Sequence, residues 1–393
     1  METNNRESRN HMDENKRNAL HYTVTIALSL LFLIVGNMIA TENLTIFERN
    51  QYFESVEAII TEIIDVHIEH HEMGGDFSVT NTDIIFEARV TRGERRNEII
   101  TAMQNISTFV ATGTAEVQIG DRIVIIYDDF NDVWHFVEHV RIHLILFLGI
   151  AFVLLLVVFG GKKGFNSIIA LGFTCAAIFL VFIPALLSGR NIYFTSIIVC
   201  VFAVVSTLFI VVGINKKSIS SILGCLGGVL VTSFLIFFMD IFLNLTGLVD
   251  SEAHMLLLLP IEEPLDLRAI TFASIIIGAV GAIMDVAMSI SSALWEVKTK
   301  ATESESTLLS LFESGVNIGK DMLGTMANTL ILAYIGSSLS IILLISVSFT
   351  SFIDLINMEM VIIELLRALV GIFGIFLTIP LTSIICAMLY LKD

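Results

Sequence analysis

The stretch GAIMDVAMSISSALWE, Gly281 to Glu296, puts a carboxylate among residues that are otherwise soluble in lipid. From Ala269 to Trp295, Asp285 is the sole charged residue. A carboxylate at that depth costs about 2.5–3.5 kcal/mol on insertion scales. It is tolerated when paired, when hydrated by a cavity, or when protonated, and each of these conditions serves the movement of ions or protons. A plainer reading stays open beside that one, a buried hydrogen bond to serines on a facing helix. Ser274, Gly278, Gly281, Asp285, Ser289, Ser292 and Glu296 recur at steps of three and four, so they share one helical face. Small residues such as Gly278 and Gly281 let a neighbouring membrane helix come close. Ile276, Ile283, Val286 and Ile290 lie on the opposite face and suit lipid or apolar neighbours. The expectation is therefore that Asp285 points into a helix bundle.

The next apolar run offers a matching face. In NIGKDMLGTMANTLILAY, Asn317 to Tyr334, the residues Asp321, Thr325 and Asn328 follow helical spacing. Together the two faces predict a polar cluster of Asp285, Ser289, Ser292, Glu296, Asp321, Thr325 and Asn328, with Lys320 at its mouth. Lys320 and Asp321 also read simply as interfacial charges.

Other groups are weaker candidates. HIEHHEMGGD, His67 to Asp76, gathers His67, His70 and His71 with metal-competent acids, but the spacing is not that of a ligand set. An exposed hairpin tip accounts for the same letters. Gly224 and Gly228 form a GxxxG pair for close helix contact. Glu364 and Arg367 are spaced for an ion pair within one helix, and Pro380 should bend that helix. The chain has no Walker A loop, no HExxH, no GxSxG and no paired Cys/His set. Neither an enzyme nor a cofactor is expected. The remaining enzymatic alternative is a membrane-embedded protease or lipid transferase, with Asp285 and Asp321 sharing a proton.

The elements that would position these residues follow from hydropathy. The 393 residues are 55% apolar and 16% charged, with a mean hydropathy of +0.83, which excludes an ordinary soluble globule. Several apolar runs exceed the about 20 residues that a helix needs to cross a bilayer. All four cysteines fall in such runs and read as small hydrophobes, not disulfide partners. Residues 1–19 are polar and mixed in charge and are expected as a disordered tail. Residues 20–40 are expected as an uncleaved anchor helix, because Met38 and Ala40 make a poor cleavage site for a signal peptide.

Residues 41–142 hold 19 acids against 7 arginines and no lysine, a poor surface for nucleic acid. Five β-rich runs there, at 56–68, 83–92, 97–104, 121–129 and 133–141, suggest a small OB-like barrel. Residues 143–393 then supply seven more spans, at about 143–160, 165–188, 192–213, 218–247, 269–296, 322–349 and 360–391. Ser304 to Asn317 could form a short amphipathic helix, on the membrane surface or packed on the bundle, capped by Ser306 or Thr307. Arg6, Lys16, Lys162-Lys163, Lys216-Lys217, Lys298, Lys300 and Lys320 fall on one side of this alternation. The positive-inside rule thus expects a multi-pass protein of the plasma membrane, with both termini cytoplasmic and residues 41–142 outside. The fold class is an α-helical polytopic membrane protein of about eight transmembrane helices carrying a small all-β extracytoplasmic domain.

GAVGAIMDVAMSISSALWE and GKDMLGTMANTLILAYIGSSL resemble the signature of the YibE/F-like membrane protein family. The likeness takes in FGGKKGFNSIIALGFT, GINKKSISSILGCLGG and the GDRIVIIYDD strand, roughly residues 55–391. It implies a transporter of unidentified substrate with no catalytic residues to carry over. The outer domain makes the chain resemble the longer, YibE-like type, and it implies as partner a YibF-like paralogue lacking that domain, or further copies of this chain. The expected activity is secondary transport or channel-like permeation of a small solute or ion. The alternative is a scaffold or sensor that moves nothing.

Overall fold

The computed structural model describes residues 2–42, 54–72, 78–107, 115–249, 251–257, 265–300, 307–348 and 351–391. The chain divides into two compact units, one of residues 1–44 and 156–393 and one of residues 45–155. The second unit was expected to end at 142, but it extends into the following helix.

Five strands build that unit: β1 (Ser55–Glu72), β2 (Ser78–Val90), β3 (Ile99–Ser107), β4 (Arg122–Asp128) and β5 (Val133–His139). They close into a barrel in the order β1-β2-β3-β5-β4, with β3 and β5 parallel and the other neighbours antiparallel. Closure needs β1 to pair on both sides, and its register shifts at Ile60/Glu62 and Ile63/Asp65 supply the bend. Alternate residues of these strands, among them Ile60, Phe86, Ala88, Ile123 and Ile125, fill the interior. Buried Gln104 donates to the Ala115 carbonyl and accepts from Val117 N–H, tying the incoming loop to the barrel. His67 and His71 flank Glu69 at 3.3 Å each on the exposed outer part of β1. Among the described residues no cluster of His, Cys, Asp and Glu could hold a metal; residues 73–77, part of the stretch expected as a hairpin tip, lie outside them.

The other unit is helical. It comprises α1 (Glu2–Ala40), most of α2 (Ile142–Ala177), a π-helical turn at Ile178–Phe182 continuing as α3 (Ile183–Leu187), α4 (Ile192–Val212), α5 (Lys216–Leu243) and α6 (Ser251–Leu257). After them come α7 (Leu267–Lys300), α8 (Leu308–Ser337), α9 (Leu339–Ser348), α10 (Phe352–Asn357) and α11 (Glu359–Tyr390). Among the described residues six helical segments, including the run 142–187, are long and apolar enough to cross a membrane.

Two boundaries differ from expectation, and the break at Gly161 falls where one was expected, between the spans at 143–160 and 165–188. The first 19 residues, expected as a disordered tail, are helical from Glu2, because a nucleated helix gains a hydrogen bond for each residue it adds. Helix α2 is interrupted at Gly161, whose φ of 53° is not helical, and the chain reverses so tightly that a Cβ on Gly164 would overlap the Leu156 carbonyl. Among the described residues of 304–317, which begin at Thr307, the expected short helix is the start of α8. Thr307 caps α8 by exchanging hydrogen bonds with Ser310, and one helix runs from Leu308 through the expected span to Ser337.

Small residues set the packing. Helices α5, α7, α8 and α11 form the central group, with α4 against α5 and α7. A Cβ on Gly224 would overlap Thr382 Oγ1, and one on Gly228 would overlap Thr378 Oγ1, so α5 crosses α11 backbone to side chain. A second GxxxG pair does the same for α8, where Gly315 meets Ser383 and Leu294 and Gly319 meets Ile379. Pro380 lies inside α11, which continues through it as one helix.

Candidate functional site

Helix α7 sorts its residues by face. Phe272, Ile275, Ile276, Ala279, Ile283, Val286, Ile290 and Leu294 are buried against α4, α5 and α11. Ser274, Gly278, Gly281, Asp285 and Glu296 are exposed, and Ser289 and Ser292 are half-buried. The face expected to point inward therefore points outward, and the apolar face expected to meet lipid builds the core. The two faces are exchanged. At about 1.5 Å per residue, Asp285 lies about 24 Å from Ala269 and about 16 Å from Glu296 along the helix. Among the described residues it has neither a hydrogen bond nor an ion pair. A Cβ on Gly281 would meet nothing within 4 Å, and one on Gly278 would meet only the Tyr334 hydroxyl at 3.3 Å.

Helix α8 behaves in the same way. It lays Leu311, Gly315 and Gly319 on the bundle, and Leu323, Met326 and Leu330 extend that contact. Asp321, Thr325 and Asn328 lie on the far side and are exposed. The hydroxyl of Thr325 turns back to the Met322 carbonyl at 2.9 Å. The predicted cluster of α7 and α8 side chains is thus not assembled within one chain. Glu296 pairs instead with Lys300 at 2.7 Å, and Ser292 donates to Met288 Sδ at 3.9 Å.

Two polar groups in the helical unit do come together. Arg367 donates to Glu364 at 2.6 Å, the expected pair on α11, and its second nitrogen lies 3.5 Å from Ser274 Oγ on α7. The other group was not foreseen. Buried Ser291 on α7 donates to the Lys217 carbonyl at 2.9 Å and lies 2.6 Å from Tyr390 Oη; Ser220 Oγ lies 3.1 Å from the same phenol. Tyr390 Oη donates to the Ser291 carbonyl at 3.0 Å. This network binds α5, α7 and α11 at one end of the bundle. Its signal in the sequence was faint: Ser291 sits on the apolar face of its helix, where a lone serine marks a hydrogen bond to a neighbour.

In the barrel, the Phe130 amide and the Asn131 side chain donate to Asp128 and hold its carboxyl below the usual range. Tyr127 is bonded to Asp132, and that bond raises its phenol above the ordinary value.

Long apolar helices packed through glycine, threonine and serine, with charged groups confined to a few faces, define a helical membrane protein. Residues 148–392 match the family described as YibE/F-like protein, and the chain belongs to that family. The match begins after the barrel, so the likeness expected for the GDRIVIIYDD strand lies outside it. No curated protein and no solved structure matches the chain.

Proposed function

We propose that this protein is a secondary transporter or channel-like permease for a small solute or ion, and that the polar faces of α7 and α8 line its path once a second copy of the chain covers them. Asp285 carries the proposal. It sits deep in a span, has no partner among the described residues, and stands on a face with open space beside Gly281. A carboxylate turned to hydrocarbon would cost several kcal/mol, whereas one facing water inside an assembly can bind and release a cation or proton. Asn328, Thr325 and the serines of α7 supply neutral ligands. The proposal concerns movement of a solute, not its chemical conversion.

The topology belongs to the same proposal. The reversal at Gly161 turns 142–187 into two spans, and α8 with α9 supplies another, which brings the six apolar segments to eight. Lysine placement then puts both termini in the cytoplasm. The barrel lies outside and is OB-like, a reading supported by its five strands and their order. A second reading, a scaffold or sensor, is favoured by the same outward faces, which would dock a paralogous chain without forming a path.

Flux separates the two. Sealed vesicles holding the wild type, Asp285→Asn or Asp285→Ala are assayed with a panel of ions and an internal pH dye. The transporter reading expects movement in the wild type and its loss in both variants while they remain folded. If nothing moves in any protein and Asp285→Ala alters only thermal stability, the scaffold reading replaces it.

A further inference from the structure

Where α2, α4, α5 and α7 meet at one end of the helical unit, they enclose a cavity of about 340 Å³. Lys163 reaches it from the stretch after the Gly161 reversal, Lys216 and Lys217 from the first turn of α5, Asn215 from the cap of α5, and Ser292 and Trp295 from α7. Three cations from two distant parts of the sequence thus line one cavity, and among the described residues no carboxylate lines it. Glu296, one residue beyond Trp295, is engaged by Lys300 at 2.7 Å. Among the described residues neither Lys163 nor Lys217 forms an ion pair.

Like charges held this close repel, and an anion between them removes the repulsion. The lysine positions are also fixed. The Lys217 carbonyl accepts from Ser221 at 2.8 Å and from Ser291 at 2.9 Å, and Asn215 exchanges capping bonds with Ser218 at 3.0 Å. The positive end of the 28-residue α5 dipole adds to the same field.

Size and surroundings narrow the class of anion. The cavity is at the small end of the about 300–1,000 Å³ typical of ligand pockets, so it takes a headgroup and not a large solute. Tryptophan is enriched where membrane meets water, and basic pockets between helices on the lysine-rich side hold phosphate headgroups. We propose that this cavity binds a phosphate-bearing anion, with an anionic phospholipid headgroup as the source that best fits a site rimmed by Trp295 among membrane helices. The site shares Ser292 with the polar face of α7, but its charge comes from Lys163, Lys216 and Lys217, none of which lies on α7 or α8, and it does not depend on transport.

The test uses the intact protein in a non-ionic detergent, with Trp134→Phe leaving Trp295 as the sole indole of the two in the chain. Trp295 emission is followed during titration with short-chain phosphatidylglycerol, short-chain phosphatidylcholine or inorganic phosphate. Phosphatidylglycerol is expected to give a saturable change and phosphatidylcholine none. Binding should weaken about fivefold for each of Lys163, Lys216 and Lys217 changed to Gln. The corresponding Arg variants, and Lys298→Gln outside the cavity, should bind as the wild type does. Saturation by inorganic phosphate with the same lysine dependence would support the site with a soluble phosphate as its source. An equal response to both lipids, or wild-type binding by the triple Gln variant with its helical signal intact, overturns the proposal. If the triple variant loses that signal, Lys163→Gln alone decides, since its side chain takes part in no helix cap.

Discussion

Single residues show how differently the two units use polar groups. In the helical unit Ser291, Ser220 and Tyr390 satisfy one another inside apolar surroundings, where an unpaired hydroxyl would be expensive. In the barrel, Asp128 works in water at a turn, where two donors favour its charged form. A carboxyl whose folded pKa is depressed stabilises above its unfolded value, about 4, and that stability disappears as pH falls through the lower folded value. Wild-type barrel should therefore melt higher than Asp128→Ala at neutral pH, with the gap closing in acid; Trp134 fluorescence during heating at several pH values measures it. A gap that is constant with pH would mean that the charge of Asp128 plays no part. In the sequence Asp128 was only a residue near the end of the expected strand at 121–129, whereas Asp285 stood out at once. The side it faces did not. In water an apolar stripe must turn inward, but in lipid both sides are apolar, and the same stripe no longer says which way the helix points.

Helices and strands were more legible than their faces. All five strands lie where β-branched runs alternate between turn residues, and the expected spans fall in helical stretches, although 165–188 is shared by α2, the π-turn and α3, and 322–349 by α8 and α9. The break at Gly161 falls between the spans expected at 143–160 and 165–188, whereas the start of α8, which depends on one cap, was harder to place. The Gly224 and Gly228 pair was legible because close contact leaves a spacing in the letters. Gly315 and Gly319 carry the same spacing and were overlooked beside the charges that follow them. Steric fit at the first pair can be tested directly. Gly228→Ala should destabilise the protein by about 1–3 kcal/mol through overlap with Thr378. Adding Thr378→Ala should recover much of the loss, giving a non-additive double-mutant cycle in thermal unfolding. Additive effects would show that α5 and α11 relax apart at that crossing.

At the scale of the molecule, the proposed function has a second chain cover the outward carboxylates. With Cys175→Ser removing the exposed native thiol, Gly281→Cys should form a disulfide between two copies under mild oxidation in membranes. Failure to cross-link at 281 and at the equally open Gly324 would argue that these faces do not meet across copies. The first helix has a different tie to the rest. Pro184 has no N–H to give the carbonyl of Leu180, and the side chain of Asn37 on α1 donates to that carbonyl instead, at 2.6 Å. Position 37 and position 184 are thus linked in inheritance. A shorter descendant that lost the first helix would also lose this donor to the Leu180 carbonyl.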